Sequence, residues 1–126
     1  MNRLWLALFL LCAIFLLSLG NVRFLCSLSD EVSALLTQAQ DRCREGDWAQ
    51  AEQITEQARS LWHSHELYLH STLHHADIDE IHLGFQAVKG LLSGREMGEY
   101  FAANADLIGR LGLVSEQEQF NLKNLL

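Results

Sequence analysis

The chain opens on an unbroken apolar run and then changes to a pattern in which apolar positions recur every three or four residues. From Leu4 to Leu19 every residue is apolar except Ser18, and Gly20, Asn21 and Val22 follow before the charge on Arg23. At 1.5 Å per residue, residues 4–22 give roughly 28 Å of helix, close to the ~30 Å hydrocarbon thickness of a bilayer. The run therefore predicts a transmembrane helix. A cleaved signal peptide is the rival, since Ser18 and Gly20 are small residues suitably placed for a cut. Against it, the apolar stretch is longer than a usual signal core of ~7–15 residues, and only Arg3 and the terminal amine precede it. Cys12 and Cys26 each follow Leu, where lipid attachment would want a small residue, so a lipoprotein is not expected.

Past Arg23 there is no Pro and no strand-like alternation. The spacing predicts an all-α domain. A first helix carries Leu25, Leu28, Val32, Leu35, Leu36, Ala39 and Cys43 on one face, in step with the membrane segment, and continues it as a stalk up to Gly46. Asp47 caps a second helix with an inner stripe of Trp48, Ala51, Ile54, Ala58, Leu61, Trp62 and Leu69, running to about Leu73. His74, His75 and Ala76 form a tight connection. Asp77, with Glu80 three residues on, caps a third helix striped by Ile78, Ile81, Phe85, Val88 and Leu92.

Ser93 and Gly94 end that helix, and the spacing of Gly90, Gly94 and Gly98 reads as a break rather than a close-approach seam. A fourth helix follows on Met97, Phe101, Ala105, Ile108 and Leu111. Ser115 with Glu118 has capping-box spacing and starts a short last turn that buries Phe120, Leu122 and Leu125. Short links make successive helices antiparallel neighbours, so the expected architecture is an up-down bundle with Trp48, Trp62, Phe85 and Phe101 as its largest core pieces. Residues 1–26 form the anchor and juxtamembrane segment, and 27–126 the bundle.

Charge adds an orientation. The chain carries nine Lys plus Arg against sixteen Asp plus Glu, a net −7. Scattered basic residues exclude nucleic acid as a partner, because phosphate neutralisation needs a clustered positive surface. The slight positive bias at Arg3 and the amino terminus favours a cytoplasmic amino terminus, which puts residues 27–126 on the outside of the cell membrane as a single-pass protein. Seven basic against sixteen acidic residues give that part a net −9. Repulsion from anionic headgroups would keep such a domain away from the bilayer surface.

All six histidines, His63, His65, His70, His74, His75 and His82, lie in one segment with Glu66, Asp77, Asp79 and Glu80. His70 and His74 share a helix face with Glu66, and Asp79 and His82 share a face of the next helix. A closed hairpin would let His70, His74, Asp79 and His82 converge on zinc or another divalent ion. The plainer reading is half-exposed imidazoles bonded to carboxylates and carbonyls, and a third is a response to mild acid. His65-Glu66 followed by His70 is no zinc-protease motif: five residues turn the second ring roughly 140° away, where four would keep it within about 40°.

The run Ala39–Ala58, with Gly46-Asp47-Trp48, Ala51 and Ala58, resembles the turn and second helix of a tetratricopeptide repeat, but a single unit excludes a repeat array. A wider resemblance covers nearly the whole chain. The short apolar amino terminus, Gly46-Asp47-Trp48 with Ala51, Trp62, His74 followed by Ile78-Asp79-Glu80-Ile81, and the closing Asn121-Leu122-Lys123-Asn124-Leu125-Leu126 are similar to domain-of-unknown-function family 4363. The resemblance implies a small membrane-anchored helical protein of a Gram-positive, often spore-forming, bacterium, and brings no assigned activity. Family members often carry an acidic residue just after the central histidine, where this chain has His75-Ala76-Asp77.

No nucleophile elbow, phosphate-binding loop, paired-cysteine motif or kinase signature occurs, so no enzyme and no required cofactor are expected. Cys26 and Cys43 on one helix would stand roughly 25 Å apart, beyond disulfide reach, although Cys26 could join two chains as a homodimer. The expected role is a membrane-tethered scaffold that binds another protein, with a metal or pH sensor in the His63–His82 segment as the alternative.

Overall fold

Residues 2–124 are described by a computed structural model, and the described residues form five helices and no strand. The first, α1, runs unbroken over Asn2–Arg44. Its leading part is apolar on every side and exposed, with Leu4, Trp5, Phe9 and Leu17 all open. From Val22 onward the exposure narrows to a stripe: Leu25, Leu28, Val32, Leu36, Ala39 and Cys43 are buried. Among the described residues this is the one helix long and apolar enough to cross a membrane.

Gly46 ends α1 as expected, and the geometry shows how. Its φ of 83° lets its N–H reach the Cys43 carbonyl (3.0 Å) while the Asp47 N–H reaches Arg42 (2.9 Å), which satisfies two orphan carbonyls in a Schellman turn. Asp47 then accepts from the Gln50 N–H at 3.2 Å and opens α2, Trp48–His63. The predicted extension of this helix to Leu73 is corrected: the chain turns at Ser64 and His65 and restarts as a short α3, Glu66–Thr72. Ser64 Oγ donates to the Leu61 carbonyl at 2.8 Å, so the side chain competes for the helix end that no Gly or Pro announces.

Helix α4 spans His75–Ser93 and also departs from expectation at its start. His74 is its N-cap, in extended conformation and without a side-chain cap bond, so Asp77 lies inside the first turn. There its carboxylate meets the positive end of the helix dipole. The buried stripe is the predicted one, Ile78, Ile81, Phe85, Val88 and Leu92. A second Schellman turn closes α4 through Arg95 and Glu96, bonded to Leu92 and Leu91 (both 3.1 Å), with Arg95 rather than a glycine at φ 54°. The Arg95 guanidinium lies over the Trp48 ring at 5.6 Å.

The last helix, α5, covers Met97–Asn124 without interruption. Its buried face is Tyr100, Asn104, Leu107, Leu111, Val114 and Ser115. The predicted stripe on Met97, Phe101 and Ala105 was thus displaced to one side, and Met97 and Ala105 are exposed. Ser115 starts no new turn, because it is buried mid-helix and its Oγ donates to Cys26 Sγ at 3.2 Å. Phe120, expected inside, is 62% exposed, and Leu125 lies outside the described residues.

Helices α1, α2, α4 and α5 form a four-helix ring in which α1 packs on α2 and α5, and α4 packs on the same two. Level pairs fix the directions: Asn104 sits by Leu36 and Gln40, and Ser115 by Cys26, so α5 runs antiparallel to α1. Likewise Glu80 meets Arg110 and Glu56 meets Lys89. The core is headed by Tyr100 and Phe85, with Trp62 buried beside them, whereas Trp48 and Phe101 only edge it. Where α4 crosses α5, a Cβ on Gly84 would stand 2.8 Å from Leu107 Cδ1, so this glycine permits the close approach.

Candidate functional site

The two turns at the far end, near Gly46 and Gly94, are regular; the other end of the bundle is where the irregular chemistry gathers. Helix α3 is clamped there against the turn of α1 that follows the apolar run. The Tyr68 hydroxyl donates to the Asn21 carbonyl at 3.0 Å and also meets the Asn21 side chain. The Phe24 ring packs edge-on to Tyr68 (4.9 Å between centroids) and to His65 (5.3 Å). Burial pushes the Tyr68 phenol up, so it is a neutral donor at ordinary pH.

The histidines line this end without converging. Glu66 lies 3.5 Å from His63 Nε2 and 3.4 Å from His70 Nε2. His70 Nδ1 is 3.1 Å from His75 Nδ1 across the α3–α4 corner. His82, on the exposed side of α4, bonds instead to Gln86 at 3.1 Å. The set His70, His74, Asp79 and His82 is therefore not brought together, and among the described residues no three His, Cys, Asp or Glu side chains form a group that could hold a metal ion. The break at Ser64 and the early start of α4 at His75 replace the long hairpin on which that convergence relied.

What does converge includes residues the histidine pattern did not point to. A cleft of about 730 Å³ runs between the start of α4, at His74 and Asp77, and the end of α5, at Leu113, Glu118 and Phe120. Burial pushes the Glu118 carboxyl up; nearby His74 opposes the shift and Asp77 adds to it. The sequence marks Glu118 only as a capping residue, and no periodicity marks it as anything else.

A buried polar seam ties α5 to α1. Ser29 Oγ donates to the Leu111 carbonyl (2.8 Å), and Asn104 Nδ2 donates to the Leu36 carbonyl (3.1 Å) and to Gln40 Oε1 (2.9 Å). The Thr55 hydroxyl, the Tyr100 hydroxyl and Asn104 Oδ1 are buried without a partner. Burial, reinforced by neighbouring Cys43, pushes the Tyr100 phenol up to about 12, and burial likewise raises the Cys43 thiol. A thiol held protonated is a poor nucleophile. Cys26, Cys43 and the exposed Cys12 are all free.

Residues 20–125 match the family described as Domain of unknown function (DUF4363). The chain belongs to this family. The DUF4363 match begins at Gly20, where the apolar run ends, and so covers the bundle rather than the membrane-type part of α1. Within it, Gly46-Asp47-Trp48 makes the far turn and Ile78-Asp79-Glu80-Ile81 opens α4 beside the clamp. No curated protein and no solved structure matches the chain.

Proposed function

We propose that this DUF4363 protein is a single-pass, non-enzymatic module that holds a helical bundle outside the cytoplasm, amino terminus inside, for another protein to bind. The continuity of α1 supports the reading: one helix supplies both the apolar run and a wall of the bundle. A partner recognised by the bundle would be confined to the plane of the membrane. The partner surface is the α4–α5 face, where a cleft of about 670 Å³ sets Ile81, Gly109 and Leu113 among the polar Asp77, Asp106 and Gln117. The Glu80–Arg110 ion pair (2.7 Å) stands at its rim, and Leu83 and Leu113 are largely exposed. An amphipathic helix docks its apolar face into such a groove, and small residues admit its backbone closely.

A photo-crosslinking residue at position 113 in living cells tests this, with exposed position 37 on α1 as control. Discrete heteromeric adducts from 113 alone are expected; equal labelling from both sites would refute the assigned face. Protease added to sealed cells should digest the bundle, and full protection would refute the orientation.

A further inference from the structure

We propose that the α3 end of the bundle is seated in the interfacial zone of the same bilayer that holds α1, with α3 lying at headgroup level; this rests on the anchoring read above. Height is set by contact. Tyr68 clamps α3 to Asn21 and Phe24 of α1, at the turn where the predicted span of residues 4–22 ends. No linker intervenes, so lifting α3 clear of the surface by one helical turn would drag the last turn of the apolar run into water. Acidic composition predicts a domain held off by headgroup repulsion, but the clamp fixes the distance regardless of that repulsion.

The side chains at this height suit a lipid surface. Leu67, the outward residue of α3, is 91% exposed, and Phe24 and Phe120 are open on the two neighbouring helices. Beyond them the end of α5 runs beside the span itself, where Leu122 shares an apolar cleft of about 550 Å³ with Leu11, Phe15 and Ser18. Burying such side chains in an apolar layer removes their hydrophobic surface from water. Trp5, also exposed, lies nineteen residues before Phe24, or about 28 Å along the helix, so aromatic rings mark both faces of a layer as thick as the hydrocarbon core. Arg23 directly follows the span at the near face, where a long basic side chain extends toward phosphate.

The test uses the unmodified full chain, one copy per phosphatidylcholine nanodisc, with spin-labelled headgroups. Amide signals of residues 67–70 and 120–124 should be broadened away while those of the Gly46 and Gly94 turns stay sharp. Leu67→Glu with Phe120→Glu should restore the residue 67–70 signals without shifting core resonances. If acyl-chain labels broaden residues 4–22 but headgroup labels leave 67–70 sharp, the chain is anchored and this inference fails alone. If residues 4–22 are also untouched, anchoring itself fails. Protection of Leu67 only in discs holding two copies would assign the patch to a second chain and overturn the lipid assignment.

Discussion

The two parts of α1 obey the same helical geometry and meet opposite surroundings. Before Val22 apolar side chains cover the whole circumference and lie open; after it they are confined to one stripe that packs on α2 and α5. Angular distribution, rather than hydrophobicity alone, separates a helix that needs lipid from one that needs partner helices. Because no joint divides them, the bundle is built onto the membrane-type segment rather than suspended from it.

The contrast is broken most directly by truncating one leucine in each part. Leu36→Ala, at a fully buried position, should cost about 2–5 kcal/mol in denaturant unfolding of the detergent-solubilised chain, while Leu10→Ala leaves the bundle transition unmoved. Equal losses would mean that the leading part is also protein-packed. Sharper discrimination comes from glycines on the helices that cover the packed part. Gly84→Ala must displace the fully buried Leu107 and should lose about 1 kcal/mol, whereas Gly112→Ala meets nothing within 4 Å and should gain about as much from helix propensity.

The smallest effects are electrostatic and opposite in sign. Glu118, at the junction of the two parts, has its carboxyl raised by burial, so ionising it opposes folding. Glu118→Gln should stabilise by under about 1 kcal/mol at neutral pH, and the gain should fade as pH falls below the raised value and be gone below the ordinary 4.5. Glu56 is held down to about 2 by Arg59 and Lys89. Its contribution is present above the ordinary 4.5 and is lost as pH drops toward 2, so Glu56→Gln should cost less than about 1 kcal/mol at neutral pH and nothing in strong acid. Urea titrations across pH distinguish the two slopes.

The stripes of α1, α2 and α4 were legible because their buried positions are plain hydrophobes at helical spacing, and Gly46-Asp47 announces its turn chemically. Helix α5 was misread because Tyr100 and Asn104 look like surface residues, while Phe101 and Ile108 look like core. Burying Tyr100 and Asn104 depends on neighbours supplied from α1 and α2, which periodicity cannot express. The Ser64 break has no Gly or Pro, and α3 exists because Tyr68 and Phe24 meet, a contact 44 residues apart in sequence. The histidine set failed for the same reason: proximity in sequence placed the rings on two helices and a corner, each facing its own neighbour.

The unjointed α1 also works as a lever. From Val22 to Arg44 it extends about 33 Å, so a span that leans by about 20° to fit a thinner bilayer would swing the loops at the far end of the bundle sideways by about 11 Å. Membrane thickness would thereby set where those loops point, with no change inside the protein at all.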